Sequence, residues 1–190
     1  AGSDPLREGQ GVFGMINGWR GGTYAERLAV PLDELAPRPG SLDWGEAASL
    51  PLAGQTALQA LRDLGGVRPG QEVLINGASG GVGTYAVQLA KALGAHVTGV
   101  CSSAKVDLVR AIGADHVIDY TQGDYLDSAT TYDLIIDIGG RTRVARLRQA
   151  LTATGTLVIV GGEDGAPDPD YTRFIKYEFG GPGGGNDKDK

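Results

Sequence analysis

The residues best suited to chemistry are Asn76-Gly77-Ala78-Ser79-Gly80-Gly81-Val82-Gly83, which follow an apolar run and open an amphipathic stretch. Glycines at 77, 80 and 83 give the spacing G-x-x-G-x-x-G, where the commonest dinucleotide pattern is G-x-G-x-x-G. The physical demands are the same in both. Gly77 permits a tight turn, Gly80 and Gly81 let the backbone approach a pyrophosphate, and Gly83 lets the helix sit close to the strand. Ser79, Gly80, Gly81, Val82 and Gly83 then place backbone N–H groups without intrahelical partners toward the anion. In a chain with 32 glycines the pattern alone reads equally well as a structural turn. Its place between a strand and a helix, inside a repeated β/α array, favours a phosphate cradle.

The next strand selects the dinucleotide. In sites for NAD an Asp or Glu about 20 residues on accepts the ribose hydroxyls. Here the run His96 to Val100 leads into Cys101-Ser102-Ser103-Ala104-Lys105, with no carboxylate at its tip. Hydroxyls and an ammonium suit a 2′-phosphate, so NADP(H) is expected over NAD(H). The competing readings are that Lys105 is a solvated lysine and Ser103 a helix cap. Asp107, close by in sequence, tempers the preference.

Metal chemistry finds few donors. A catalytic zinc takes three protein ligands and a structural zinc four. One cysteine, Cys101, and two histidines, His96 and His116 at strand starts, supply neither. The lone cysteine also forbids an internal disulfide and fits a reducing compartment. A formal charge of −6 disfavours nucleic acid or an anionic membrane as partner. No apolar run approaches the roughly 20 residues of a membrane span, and no secretory signal is evident. The expectation is a cytoplasmic protein with a small-molecule substrate, its oligomeric state open between monomer and homodimer.

These residues need a scaffold, and 190 residues with 41% hydrophobic content suffice for one substantial core and a partial second element. Gly11 to Asn17 and Thr23 to Pro31 read as the arms of a hairpin. A helix is expected from a Ser41 cap and should end or kink at Pro51; a second runs from about Gly54 to Leu64. From Pro69 short apolar runs alternate with helical stretches, the pattern of a parallel sheet with crossover helices. The strands are Glu72 to Asn76, His96 to Val100, His116 to Ile118, Leu134 to Ile138 and Thr156 to Val160. The helices are Val82 to Leu93, Ala104 to Ile112 and Arg143 to Leu151, closed by Gly94, Gly113 and Gly155. Tyr171 to Phe179 is a candidate extra strand, and Gly180 to Lys190 reads as a linker or disordered tail.

The segments "LPLAGQTALQAL", "VLINGASGGVGTYAVQLAKALGAHVTGVCSSAK", "LVRAIGADHVIDY" and "GTLVIVGG" together resemble the medium-chain dehydrogenase/reductase superfamily. Within it they are most similar to the zinc-independent quinone oxidoreductase branch, including NADP-dependent alcohol dehydrogenase-like members. The resemblance runs from about Gly11 to Gly165. It implies an α/β Rossmann-type domain beside a GroES-like β-rich catalytic domain, and reduction of quinones or activated enones by NADPH. It also implies that Ser102, Lys105 and Tyr120 hold the 2′-phosphate end, and that Thr56 and the turn Val160-Gly161-Gly162 approach the nicotinamide half. Tyr120 also reads as a strand-end aromatic, and Thr56 as an ordinary helix residue.

The chain departs from that pattern at both ends. Most of the β-rich catalytic segment and the sixth Rossmann strand are not recognisable, so no catalytic residue is assigned. The expected organisation is a catalytic-domain remnant over 1–40, a Rossmann domain over 41–165, a surrogate edge strand over 166–179 and a tail over 180–190. In the order 3-2-1-4-5-6, Leu157 to Val160 would become an apolar sheet edge unless the surrogate strand covers it. Three functions compete: an NADPH-dependent quinone or enone reductase, a catalytically incomplete NADP(H)-binding module, and a partner-binding fragment.

Overall fold

The computed structural model describes residues 6–16, 22–127 and 129–161. Two compact units divide after Leu52.

In the first unit β1, Val12–Gly14, pairs antiparallel with β2, Leu35–Pro37, with Phe13 opposite Ala36. The expected second arm, Thr23 to Pro31, forms no strand. Its alternation sets no apolar face apart, and Tyr24 and Leu28 lie exposed. The turn expected at 18–22 lies mostly outside the described residues. Gly14 is fixed by space, since a β-carbon there would stand 2.2 Å from the Glu34 carbonyl oxygen.

Helix α1 spans Trp44–Leu58. Its cap is Asp43 rather than Ser41. The Glu46 amide donates to Asp43 Oδ1 at 2.8 Å, and the Asp43 amide to Glu46 Oε2 at 2.9 Å, a reciprocal capping box. Pro51 lies inside α1 and does not end it. Ala47, Pro51, Gly54 and Ala57 form one buried stripe, and packing of that stripe outweighs the lost backbone bond. A six-residue π-helical stretch, Gln59–Leu64, continues directly from α1.

The second unit holds the sheet. Strands β3 (Glu72–Asn76), β4 (His96–Cys101), β5 (His116–Asp119), β6 (Tyr132–Asp137) and β7 (Leu151–Ile159) are all parallel, in the order β5-β4-β3-β6-β7. Helices α2 (Gly81–Ala92), α3 (Val106–Ala111) and α4 (Val144–Gln149) link them. This is the doubly wound α/β fold, and the order reverses between β3 and β6. Parallel strands are covered on both faces, so the runs Val73–Ile75 and Leu134–Ile136 are continuously apolar and fully buried. Val73, Ile75, Leu134 and Ile136 join Ala57, Leu61, Ala86, Val87 and Val109 in one cluster. Leu74, Val100, Ile135, Tyr132 and Leu147 form the other.

The end of the sheet departs from expectation. Helix α4 stops at Gln149 and β7 begins at Leu151, so Gly155 lies within a strand and closes no helix. The register slips between the pairs Tyr132–Leu151 and Leu134–Thr156. Gly155 occupies that irregularity, where a β-carbon would stand 2.8 Å from the Tyr132 carbonyl oxygen. Tyr171 to Phe179 and the glycine-rich tail lie outside the described residues. Among the described residues no helix is long and apolar enough to cross a membrane.

Candidate dinucleotide site

Because all five strands run the same way, the turns after them gather along one edge of the sheet, where doubly wound folds bind ligands. The cradle follows β3. Gly77 has φ +84°, a conformation that glycine adopts without strain. The Gly77 and Ala78 amides both donate to the Val100 carbonyl, at 3.2 and 3.0 Å, which ties the turn to β4. Gly83 is buried, and a β-carbon on it would stand 2.1 Å from the Gly77 carbonyl oxygen. Gly80 and Gly81 are exposed. A β-carbon on Gly80 would meet only the Gly77 oxygen, at an ordinary 3.4 Å, and one on Gly81 would meet nothing within 4 Å. The helical ladder begins with the Thr84 amide donating to Gly80 at 2.9 Å, so the amides of Gly81, Val82 and Gly83 lie ahead of it. The inner glycine thus serves packing, and the outer pair leaves backbone accessible to an anion. These residues fit a pyrophosphate.

The turn after β4 holds Ser102, Ser103 and Lys105. Ser102 precedes a 3-10 turn over Ser103–Lys105 and accepts the Lys105 amide at 2.9 Å. Lys105 is exposed. Ser103 is not a helix cap. Its hydroxyl donates to Asp119 Oδ2 at 2.5 Å and lies 2.8 Å from Thr121 Oγ1. Asp119 also accepts the Thr121 amide and hydroxyl, at 2.9 and 2.7 Å. The Ser103 hydroxyl, followed by those from Thr121, holds the Asp119 carboxyl below its ordinary range. The absence of a carboxylate at the tip of β4 is therefore true of the strand but not of the space. Asp119 comes from the neighbouring strand, in register with Cys101. Sequence reasoning missed it because cross-strand register is not visible in a single strand's tip. Tyr120 follows Asp119 at the end of β5 and is 51% exposed. Asp107 lies elsewhere, paired with Arg110 on α3 at 3.4 Å.

The opposite side of the crevice is built by the turns after β6 and β7. Val160 donates its amide to the Asp137 carbonyl at 2.9 Å, and a β-carbon on Gly161 would stand 3.0 Å from the Ile138 carbonyl oxygen. Gly162 lies outside the described residues. Thr56 is half-buried on α1, one residue before the core residue Ala57. Asn76, which opens the cradle segment, also has a partner that the sequence pattern does not single out, Asp137. Asn76 Nδ2 donates to Asp137 Oδ1 at 2.6 Å, and both side chains are buried. The signal was a polar residue closing each of two apolar strands, "VLIN" and "LIID".

His96 and His116 are exposed at the starts of β4 and β5, the edge opposite the cradle. Cys101 is buried, and that burial, with Asp119 nearby, raises its thiol. Among the described residues no group of three or more His, Cys, Asp or Glu side chains is arranged to hold a metal ion.

Comparison with known proteins agrees with this geometry. The family described as zinc-binding dehydrogenase matches residues 81–178. The chain belongs to that family. It thereby falls within the medium-chain dehydrogenase/reductase superfamily that its motifs resemble. This dehydrogenase-family chain is 45% identical over 145 residues to NAD(P)H oxidoreductase RTN4IP1, mitochondrial, of Mus musculus, covering 72% of the chain and 37% of the relative. It is 40% identical over 141 residues to the chloroplast envelope quinone oxidoreductase homolog of Arabidopsis thaliana, covering 69% and 43%. Among solved structures, the quinone oxidoreductase of Thermus thermophilus, described with its NADPH complex, superposes with a TM-score of 0.74. Identity there is 32%, with 89% of this chain and 56% of the other covered. The chain spans less than half the length of these two curated relatives.

Proposed function

We propose that the chain is the cofactor-holding part of an NADPH-dependent oxidoreductase of the quinone oxidoreductase type, reducing a quinone or an activated enone. The observation that carries this reading is the division of labour among the glycines. Gly83 is locked against Gly77, whereas Gly80 and Gly81 present open backbone at the start of α2. That arrangement suits a pyrophosphate and has no packing purpose at positions 80 and 81. When bound, the nicotinamide supplies the hydride. The chain's own residues bind and orient: Ser79 to Gly83 hold the pyrophosphate, and Lys105, Ser102 and Tyr120 face the 2′-phosphate. Val160, Gly161 and Thr56 border the nicotinamide half. The similarity to proteins named quinone or NAD(P)H oxidoreductases supports the substrate class.

Zinc-independent chemistry is part of the proposal. Buried Cys101 and the two histidines at the far edge of the sheet support it. A reducing compartment such as the cytoplasm suits the free thiol. The alternative reading is an NADP(H)-binding module without turnover. Oxidation of NADPH by 1,4-benzoquinone, followed at the reduced-nicotinamide absorbance with and without chelator, separates the two. Turnover that survives chelation supports the enzyme. Fluorescence titration that detects NADPH binding without turnover supports the module, and no binding at all removes both.

A further inference from the structure

The polar pair Asn76–Asp137 lies at the point where the strand order reverses. Asn76 ends β3 and Asp137 ends β6, and the two are register partners. Asp137 is fully buried, yet it is placed among donors from three segments. Its Oδ1 accepts from Asn76 Nδ2 at 2.6 Å and from the Gly140 amide at 3.2 Å. Its main-chain carbonyl accepts the Val160 amide at 2.9 Å, and the Asn76 carbonyl accepts the Ile138 amide at 3.0 Å. The turn after β6 is thereby bound to the turns after β3 and β7. It is also pressed against the cradle: a β-carbon on Gly77 would stand 3.2 Å from the Gly139 amide nitrogen.

A buried carboxylate is a poor way to gain stability. Apolar residues of similar volume do as well or better, because removing a charge from water is costly. What such a group supplies is directional: it accepts hydrogen bonds only where the donors are correctly placed. Gly140 donates its amide to Asp137 and has φ +62°, which turns the chain that follows it. In a doubly wound sheet the β3–β4–β5 half receives the adenosine mononucleotide and the half beginning at β6 receives the other.

We propose that Asp137 is a positioning residue for the nicotinamide mononucleotide half of the cofactor. It acts through Asn76 and Gly140 to hold the Ile138-Gly139-Gly140 turn at a fixed distance from the cradle. The proposal rests on reading the crevice as an NADP(H) site. It assigns Asp137 no contact with the cofactor and no role in proton transfer.

The test compares two ligands that share the adenosine half. Kd values for NADPH and for adenosine 2′,5′-bisphosphate are measured by calorimetry on the wild-type chain and on Asp137→Ala, Asp137→Asn and Asn76→Ala. Asp137→Ala is expected to weaken NADPH by about tenfold or more, the scale of losing hydrogen bonds to a charged group. It should leave adenosine 2′,5′-bisphosphate within about threefold, close to the scatter expected for a site with no lost contact. Asp137→Asn keeps an acceptor oxygen and should restore NADPH binding. If Asp137→Ala does not fold, as judged by circular dichroism, Asn76→Ala carries the same expectation. Equal losses for both ligands, or undiminished NADPH binding in a folded variant, would overturn the positioning role. A wild-type chain that binds neither ligand would instead remove the NADP(H) reading, and the positioning role with it.

Discussion

Gly83 and Gly77 approach so closely that a β-carbon on the first would stand 2.1 Å from the carbonyl oxygen of the second. Real side chains do not tolerate such a distance, and the obstructing atom is backbone, which cannot swing aside. Gly83→Ala should therefore displace α2 from β3. The expected cost is at least about 2 kcal/mol, toward the upper range for overpacking a tight interior. Urea denaturation measures it directly; a variant within experimental error of wild type would show that the helix has room to shift.

Gly80 predicts the opposite behaviour. Its backbone is extended, at φ −80° and ψ 176°, and its β-carbon would meet nothing closer than 3.4 Å. Gly80→Val should cost stability about 0.5–1 kcal/mol, the scale of placing a poorer residue at the N-cap of α2. It should nevertheless abolish binding of both NADPH and NADH by filling the space a pyrophosphate needs. Normal binding by this variant would contradict the cradle assignment.

Charge at the adenosine end should separate the two cofactors. Lys105→Glu is expected to weaken NADPH about thirtyfold, equivalent to one hydrogen-bonded charge contact of about 2 kcal/mol, and to leave NADH nearly unchanged. Asp119→Asn should do the reverse, raising the preference for NADPH by removing a carboxylate beside Ser103. Parallel fluorescence titrations with the two cofactors give the ratios, and ratios that do not move would dissolve the specificity argument.

Acid should release one pair that fastens α2 to the sheet. Burial works to raise the Asp115 carboxyl, but Lys91 Nζ, 2.8 Å from both oxygens, and the Val97 amide at 2.7 Å outweigh it and hold it low. A depressed carboxyl contributes stability that is fully present above its unfolded value of about 3.9 and is lost as pH falls through the folded value below that. Both side chains are a third exposed, so the pair is worth no more than about 1 kcal/mol. Lys91→Met should be less stable than wild type at pH 7, and the difference should shrink as pH approaches about 3. Thermal unfolding across that range reads it out.

The parallel sheet was legible because each of its strands is an apolar run bounded by helical stretches and turn glycines. Glu72 to Asn76 was placed to the residue. Where tertiary pairing decides, the chain is less explicit. Nothing local announces that β1 pairs with Leu35–Pro37 rather than Thr23 to Pro31, since the choice depends on which stretch presents a usable edge. Pro51 reads as a helix end from its missing amide, but the buried stripe running through it keeps α1 whole. At the site the glycine pattern was plain, because turn geometry is encoded residue by residue. Asp119 and Asp137 were not, because each matters through a partner from a separate segment of the chain.

That dependence has a kinetic side. Val73 pairs with Val97 on one flank and Leu134 on the other, and Asn76 and Asp137 are 61 residues apart in the chain. Pairing β3 with β6 closes a long loop of chain before any contact repays the entropy, and such non-local pairings form slowly. The two sides of the crevice are thus brought together by the most distant partners in the sheet. During refolding, the ability to capture a dinucleotide is expected to return with the slowest phase, after most of the helical signal has recovered.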